Sequence, residues 1–405
     1  MYPSIVIILL IVKNVKYLIM NNCAVICEYN PFHSGHKYQL EAVRAMGASN
    51  IVCIMSGQFT QSAEPAFCDK GLRAECAVLG GADAVIELPT LYATASAGYF
   101  ALGGVKIASE IKGISSLAMG ATAKPDVIKR IADIKIYRAE KFRAALKRNL
   151  DAGKSYNAAN TSAIVSVYAS LYNDDVTGVI SEPNNMLCVE YICAISDIAA
   201  NVEPVIIERR GAIHNSADLS AEYISATAVR ENFGDNISKY VPYKFDEITV
   251  WRNAHAPNMS SFEHILAYSL KRLSIDELSK LRNCSEGMEY LLTDKLYADL
   301  NGYMDNAASR RYGKKRLRRL FLDATLDIDK NCFDCDFCTR LLACKNGFDF
   351  SILPMRVKTT NSDIKKAAEN ADVRRVSGID ERAVALYNTV CGIDGGYYNY
   401  SLVKV

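Results

Sequence analysis

Short apolar runs alternate with amphipathic segments over the first 235 residues of the chain. The apolar runs are rich in β-branched residues and end at turn formers, which is typical of buried strands. Strands are predicted at the start of the run 24–32 and at 50–55, 84–88, 115–119 and 205–208. Helices are predicted at 37–46, 69–79, 94–111, 126–150, 157–172, 185–200 and 225–232. This alternation predicts an α/β fold with a doubly wound, parallel, five-stranded sheet.

The pattern changes after residue 235, where helical segments dominate. We therefore expect a catalytic domain over residues 20–235 and a mainly helical domain over residues 236–405, with the boundary near 233–245. The apolar run 5–12 is too short to span a bilayer. Because Met20 directly precedes the first predicted strand, residues 1–19 are expected to be a start-site extension.

Composition favours a protein with a sizeable core and no overall affinity for polyanions. Half of the 405 residues are hydrophobic and the net charge is +2, so any nucleic-acid contact must come from a local patch. The densest basic run is 310–319, which favours contact with a nucleic-acid backbone over a solvated helix face. The 13 cysteines are scattered through apolar runs, as expected of reduced core thiols in a cytoplasmic protein.

Two histidines bracket a glycine directly after the first predicted strand, in the sequence His33-Ser34-Gly35-His36. A helix that begins here offers unpaired N–H groups and a positive dipole end, and the imidazoles add further donors, so the motif predicts a phosphate site. Gly35 is expected to leave room for a flat ligand. The alternative is a pair of ordinary loop histidines. The motif resembles the HIGH signature of the nucleotidyltransferase superfamily.

A second candidate is the segment 224–230, which contains Ser225, Thr227 and Arg230. A hydroxyl can cap the next helix, and a guanidinium in its first turn can bind the β- and γ-phosphates. The alternative is a plain helix cap. The segment follows the superfamily's second signature, Ile-Ser-Ser-Thr-x-x-Arg, with Ala226 at the second serine.

Two other clusters have competing interpretations. Lys70 and Arg73 are predicted either to meet a phosphate or RNA backbone or to lie on a solvated helix face. Cysteines 332, 335 and 338, with Cys344 beyond, have a spacing that invites a metal. Aspartates alternate with apolar residues there, which favours a half-buried strand, so no metal site is predicted.

Several segments together identify a narrower family. They are Glu28-Tyr29-Asn30-Pro31-Phe32-His33 with Gly35-His36, Met55-Ser56-Gly57 with Phe59 and Gln61, Glu64-Pro65-Ala66, Asp69-Lys70, Arg73-Ala74-Glu75, Val85-Ile86-Glu87-Leu88-Pro89, Pro183-Asn184-Asn185, Glu190-Tyr191, Arg209 with Gly211, and Ser225-Ala226-Thr227. They resemble the bacterial tRNA(Met) cytidine acetate ligases. The match is specific over residues 23–232 and looser to about residue 360.

The resemblance implies an enzyme that makes acetyl-adenylate from ATP and acetate and acetylates N4 of the wobble cytidine of elongator tRNA(Met). It implies ATP with Mg²⁺ on its phosphates, acetate in a tight apolar slot near residues 30–32, a cytoplasmic location, and neither a membrane nor a protein partner. The implied catalytic residues are His33, His36 and Arg230. The implied ATP-binding residues are Ile26, Cys27, Glu28, Tyr29, Asn30, Pro31, Phe32, His33, Ser34, Gly35, His36, Lys37, Tyr38, Gln39, Gly120, Asn184, Arg209, Ser225 and Thr227. Asn185 remains an alternative to Asn184. The implied tRNA-binding residues are Lys314, Lys315, Arg316, Arg318 and Arg319, together with the basic segment 129–148.

The chain departs from the family at two loops. Met119-Gly120-Ala121-Thr122 stands where the family has Phe-Gly-Ser-Glu, and Ser62 stands where it has an arginine. Two alternative functions therefore remain open. One is a small-molecule nucleotidyltransferase, and the other is a catalytically degenerate RNA-binding protein of the same fold.

Overall fold

The computed structural model describes residues 21–209, 223–285, 287–294, 297–307 and 312–405. The predicted extension at residues 1–19 lies outside this range. At the centre are five parallel strands: β1 (Asn22–Cys27), β2 (Asn50–Ser56), β3 (Ala84–Leu88), β4 (Ile114–Ala121) and β5 (Glu203–Glu208). Their order in the sheet is β5-β4-β1-β2-β3. The strand order reverses beside β1, so the crevice between the carboxyl ends of β1 and β4 is the topological switch point, where such sheets bind ligands.

Both faces of the parallel strands are buried, which explains their continuous apolar sequences. Alternate side chains enter two different cores, one containing Ala24, Ile26, Val52 and Ile54 and the other containing Cys23, Val25, Ile51 and Cys53. All 13 cysteines are free thiols, and most are buried, which confirms their predicted role as reduced core residues.

Helices cover the sheet in the first half of the chain. They are α1 (Ser34–Ala45), α2 (Lys70–Leu79), α3 (Thr90–Ala93), α4 (Ala97–Ser109), α5 (Pro125–Ile136), α6 (Ala139–Asp151), α7 (Tyr156–Tyr172), α8 (Thr177–Ser181), α9 (Pro183–Asp197) and α10 (Ala226–Glu231). The single helix predicted over 126–150 is wrong. The chain turns at Tyr137 and Arg138, and Phe142 and Ala145 of α6 are buried in the core.

The second half adds helices α11 (Phe245–His255), α12 (Met259–Lys271), α13 (Ile275–Lys280), α14 (Met288–Asp294), α15 (Leu300–Ala307), α16 (Lys314–Leu326), α17 (Asn361–Ala367) and α18 (Ala371–Cys391). It also contains four 3₁₀ segments after residue 234, at Asp235–Tyr240, Lys330–Asp334, Phe350–Ile352 and Tyr397–Asn399, among the described residues. In the described part of the chain, none of the helices has the length and apolar character that crossing a membrane requires.

The sheet has eight strands, so the predicted count of five is wrong. Strand β6 (Thr339–Cys344) pairs antiparallel with β3, while β7 (Val357–Lys358) and β8 (Val403–Lys404) both pair with β6. Every residue of β6 is buried, and Thr339 Oγ1 donates to the carbonyl of Glu87 at 2.5 Å. A strand from far along the chain therefore covers the outer edge of β3, which would otherwise be open to pairing with another chain.

Candidate nucleotide-binding site

A cavity of about 1210 Å³ opens at the carboxyl ends of β1, β4 and β5. His33 and His36 line one side of it, and Thr227 and Arg230 line another. Residues nearly 200 positions apart therefore meet across one space, as the two sequence motifs predict.

The two histidines form a capping box at the N-terminus of α1. His33 is the N-cap residue, and its Nδ1 accepts a hydrogen bond from the Gly35 N–H at 3.0 Å. Nδ1 of His36 accepts from the His33 N–H at 3.3 Å. Because both Nδ1 atoms are acceptors, the ring protons lie on Nε2. Helix α1 therefore begins at Ser34 rather than at the predicted residue 37.

Burial and neighbouring cations keep both imidazoles neutral. Burial, with the positive charges of Arg209 and Arg230, lowers the pKa of His33 to about 3. Burial, the adjacent His33 and Arg209 lower the pKa of His36 well below its ordinary value. The rings stack with their centroids 3.7 Å apart. At neutral pH the site therefore presents two uncharged imidazoles, each with one Nε2–H donor.

Gly35 is required by the cap. A Cβ at this position would lie 2.9 Å from Cε1 and 3.2 Å from Nδ1 of His33. Gly35 also lines the cavity, so its expected contact with a flat ligand stays a prediction.

Arg230 joins the second motif to the first. Its guanidinium donates to the Asn30 carbonyl at 2.7 Å and to Thr227 Oγ1 at 3.1 Å. Ser225 caps α10 by accepting from the Ala228 N–H at 3.0 Å. Arg230 stands in the last turn of this short helix, not the first as predicted. Burial lowers its pKa, although nearby Glu28 opposes this.

Glu28 is one of two acidic residues that line the cavity among those the structure describes, the other being Glu208. Burial raises the pKa of Glu28, while the hydrogen bond from the Gln61 N–H at 2.7 Å and the charges of Arg73 and Arg230 oppose the rise. Its carboxylate therefore ties the loop after β2 to the end of β1.

The structure separates the two candidate asparagines. Asn185 is buried, its Oδ1 accepts from the Thr122 and Ala123 N–H groups, and its Nδ2 donates to the Val179 carbonyl at 2.9 Å. Asn184 lines the cavity, and its buried Nδ2 has no hydrogen-bond partner among the described residues. Asn184 is therefore the residue with a donor to offer a ligand, whereas Asn185 holds the loop after β4.

Arg209 follows β5 directly, and its side chain packs over Gly120. Its N–H donates to the Ala121 carbonyl at 2.8 Å. A Cβ on Gly120 would come within 3.3 Å of Arg209 Cγ. Burial lowers the pKa of Arg209. Glycine at position 120 therefore lets this guanidinium lie across the end of β4 inside the cavity.

Most of the predicted ATP-binding residues line the cavity, but four do not: Pro31, Phe32, Ser34 and Lys37. Phe32 is 1% exposed and packs on Tyr29, so residues 31 and 32 support the site from below. Asn30 does line the cavity, so the acetate slot expected near residues 30–32 stays a prediction. Lys37 faces outwards, with its ammonium 3.7 Å from Glu41.

The predicted basic run reaches the same cavity from the C-terminal half. Four of its residues, Lys314, Lys315, Arg316 and Arg319, are among the cavity-lining residues. Arg318 does not line the cavity and instead pairs with Glu64. Arg310 and Arg311 lie outside the described residues.

Sequence reasoning missed several cavity residues: Tyr99, Arg282, Asn283, Lys330 and Phe333. They come from three segments far apart in the sequence: Tyr99 from α4, Arg282 and Asn283 from the turn after α13, and Lys330 and Phe333 from the 3₁₀ helix Lys330–Asp334. Only the fold brings these segments together.

Lys70 and Arg73 are structural, and both predicted interpretations of them are wrong. Lys70 is 1% exposed and its ammonium contacts Glu87 Oε1 at 2.6 Å. Arg73 is fully buried and donates to the carbonyls of Glu28 at 2.6 Å and Ser56 at 3.2 Å, and also to that of Gly57. These cations therefore hold the loops behind the site together.

The cysteine-rich segment is not the predicted half-buried strand. Residues Lys330–Asp334 form a 3₁₀ helix, and burial raises the pKa of the thiols of Cys332, Cys335 and Cys338. Nowhere in the described part of the chain do three His, Cys, Asp or Glu side chains cluster closely enough to hold a metal ion.

This fold, with a histidine-capped helix at the switch point of a parallel sheet, is that of a nucleotidyltransferase. The HIGH Nucleotidyl Transferase family model matches residues 20–393, so the chain belongs to that family.

Curated relatives narrow the assignment. The tRNA(Met) cytidine acetate ligase of Caldanaerobacter subterraneus subsp. tengcongensis is 32% identical over 329 residues, covering 78% of this chain and 80% of that protein. That of Syntrophomonas wolfei subsp. wolfei is 34% identical over 321 residues, covering 76% of each. The chain therefore belongs to the tRNA(Met) cytidine acetate ligase family.

Solved structures share the fold. Apo Thermotoga maritima TmcAL superposes with a TM-score of 0.84 at 24% identity, covering 95% of this chain and 100% of that chain. The same protein bound with alpha-thio ATP gives a TM-score of 0.83, at the same identity and coverage.

Proposed function

We propose that this protein is an ATP-dependent ligase that acetylates N4 of the wobble cytidine of elongator tRNA(Met) with free acetate. A carboxylate oxygen of acetate attacks the α-phosphorus of ATP, and pyrophosphate leaves. The N4 amine then attacks the acetyl carbonyl carbon, AMP leaves, and the amine loses a proton. Family membership supports this reaction, and so does alpha-thio ATP bound to a relative of the same fold.

The observation that carries the proposal is the pairing of two neutral imidazoles with two half-buried guanidiniums across one cavity. His33 and His36 each retain one Nε2–H donor, while Arg209 and Arg230 supply positive charge. Preorganised donors of this kind stabilise charge that develops on the phosphate oxygens as the α-phosphorus becomes pentacoordinate. Because the imidazoles are already neutral and capped, they need no reorganisation as the reaction proceeds.

Mg²⁺ is proposed to enter with ATP, bound to its phosphate oxygens. The cavity contains only two acidic residues among those described, and Glu28 already accepts a backbone hydrogen bond. Mg²⁺ prefers oxygen ligands and is often bound largely through substrate phosphates and water. The residues present therefore fit a metal carried by the nucleotide better than one held in a protein cage.

The two loops that depart from the family pattern are both placed at or beside the cavity. Thr122, where the family has glutamate, donates from its N–H and Oγ1 to Asn185 Oδ1 at 2.9 and 3.2 Å. The loop after β4 is therefore anchored without the acidic residue. Ser62, where the family has arginine, still lines the cavity.

Two assays test the proposal on the full-length protein. Acetate-dependent exchange of labelled pyrophosphate into ATP reports the first step without RNA, and transfer of labelled acetate to elongator tRNA(Met) reports the second. We expect both activities. Nucleotidyl transfer to a metabolite without acetate would indicate a small-molecule nucleotidyltransferase, and RNA binding without ATP turnover would indicate a degenerate binding protein.

The proposed tRNA surface can be tested separately. Lys314 and Lys315 are exposed at the start of α16, beside the cavity. Neutralising both with glutamine should weaken tRNA binding and reduce its salt dependence, because fewer phosphates then release their counterions on binding. If the salt dependence of tRNA binding is unchanged, these lysines are only a solvent-exposed face of the helix.

A further inference from the structure

The C-terminal side of the cavity contains a half-buried cation, Arg319, that has no partner among the described residues. The side chain of Arg319 makes no hydrogen bond or ion pair within the described ranges, and its Nε is buried. Burial and the positive charges of Arg282 and Arg316 lower its pKa to about 10. Buried N–H groups usually have a hydrogen-bond partner. The unpaired guanidinium of Arg319 lines the cavity and is therefore available to an anion that enters it.

Arg282 is held in place beside Arg319. Its guanidinium donates to Asp323 Oδ1 at 2.5 Å and to the Thr94 carbonyl at 3.2 Å, and its side chain is 5% exposed. Asp323 is fully buried and also accepts from the side chain of Asn283 at 2.6 Å. The Nε of Arg282 remains buried without a partner in the described part of the chain. Arg282, which is fixed, and Arg319, which is unpaired, therefore both leave N–H groups unsatisfied beside the same cavity.

This second cluster is electrostatically separate from the imidazole end. The charges that act on His33 are those of Arg209 and Arg230. The charges that act on Arg319 are those of Arg282, Asp323 and Arg316. The cavity therefore contains two groups of cationic side chains with different charged neighbours, and we call the group around Arg319 and Arg282 the second subsite.

An aromatic pair adjoins the second subsite. Tyr99 and Phe333 stack with their centroids 3.9 Å apart and their planes within 5°, and both line the cavity. The Arg282 guanidinium lies 5.9 Å from the Phe333 ring. Tyr99 is 44% exposed, which leaves ring surface open to the cavity. Guanidiniums beside an accessible aromatic ring are how proteins commonly hold single-stranded nucleic acid, through its phosphates and base faces.

We infer that this subsite, formed by Arg319, Arg282, Tyr99 and Phe333, binds a phosphodiester and a base of the RNA strand that enters the cavity. The inference rests on the proposed function and extends it, because it places the RNA inside the cavity rather than only along the exposed basic residues. An unstacked nucleotide is required, since N4 must reach an acyl-adenylate held at the other end. In this subsite Arg319 contacts the phosphate. Arg282 and Tyr99 line the space that the base occupies.

The test compares the two half-reactions in Arg319→Gln and Tyr99→Ala. For Arg319→Gln, we expect the KM for tRNA in acetyl transfer to rise about tenfold or more, the scale of one charge-assisted hydrogen bond. The slope of log binding constant against log salt should fall by about 0.7. For Tyr99→Ala, transfer should fall about tenfold because the base no longer stacks on the ring. In both variants the loss in transfer should exceed the loss in pyrophosphate exchange at least about tenfold.

Arg272→Gln is the matched control, because it removes the same charge from an exposed position outside the cavity. Equal losses in exchange and transfer would overturn the inference and assign the second subsite to the ATP phosphates. A lower free energy of unfolding for Arg319→Gln would also overturn it, since loss of a charge that has no partner in the fold should not destabilise the fold. If the unmodified protein shows neither half-reaction, the proposed function itself is wrong.

Discussion

Replacing His36 separates the structural part of the histidine motif from its chemical part. In His36→Ala, the capping bond to the His33 N–H and the ring stack at 3.7 Å are lost together with the Nε2–H donor. In His36→Gln, a side-chain oxygen at the third helical position can still cap, as glutamine does in ordinary capping boxes. The imidazole is lost in both variants.

The expected magnitudes differ for stability and rate. The long 3.3 Å cap bond and the ring contacts together predict a loss of about 1–2 kcal/mol in the free energy of unfolding for alanine. Glutamine should recover about 1 kcal/mol of this through the cap. Loss of a donor to the transition state costs about 10²–10³ in rate. Pyrophosphate exchange should therefore fall about 100-fold or more in alanine and remain well below the unmodified rate in glutamine.

The assays are urea unfolding, acetate-dependent pyrophosphate exchange and tRNA binding by the same preparations. Affinity for tRNA should stay close to that of the unmodified protein in both variants, because His36 lies at the other end of the cavity from the proposed RNA subsite. Exchange restored by glutamine in proportion to stability would refute the reasoning, since His36 would then act only as a cap. Equal loss of exchange and tRNA affinity would also refute it.

Three further predictions follow from the same geometry. In the folded protein the pKa of His33 is lowered to about 3, whereas in the unfolded chain it is about 6.5. Between these two pH values only the unfolded state binds the proton. The free energy of unfolding should therefore fall as the pH is lowered, by up to about 1.4 kcal/mol per pH unit down to about pH 3. His33→Asn keeps an N-cap acceptor but has no imidazole to titrate. Measured by urea unfolding between pH 7 and 5, its free energy of unfolding should therefore depend less on pH than that of the unmodified protein. The same pH dependence in both proteins would contradict this. Arg230→Lys keeps the charge but loses the planar fork, and should lower kcat/KM for ATP about 10–100-fold in exchange, whereas a near-normal value would show that charge alone suffices. Asn185→Ala should lower the free energy of unfolding by about 2–3 kcal/mol. Asn184→Ala should change the free energy of unfolding by no more than about 0.5 kcal/mol and should raise the KM for ATP. Similar behaviour of the two variants would contradict the roles assigned to these asparagines.

The sequence by itself was sufficient for the parallel centre of the fold and for one wall of the site. Continuous apolar runs separated by amphipathic segments require strands buried on both faces, and the five central strands lie where those runs are. Segments 33–36 and 224–230 could be recognised because each places helix-capping side chains next to a strand or helix start, a local relation that spacing along the chain reveals.

Interpretations failed where distant segments decide the environment. Lys70 and Arg73 have the sequence pattern of a solvated helix face. In the fold both are buried, because Lys70 pairs with Glu87 and Arg73 donates to carbonyls of the loops behind the site. The predicted number of strands was wrong for the same reason, because β6, which pairs with the edge of β3, lies about 250 residues later in the chain.

Local spacing therefore determined the elements and the imidazole cap, since hydrogen bonds within a helix turn and side-chain alternation along a strand depend on near neighbours. Only the tertiary structure decided which cations are available to a ligand. Arg318 is neutralised by Glu64, whereas its neighbour Arg319 lines the cavity, half-buried, without a partner among the described residues. The strength of a charge depends on burial and on the charges around it, and contacts between distant parts of the chain set both.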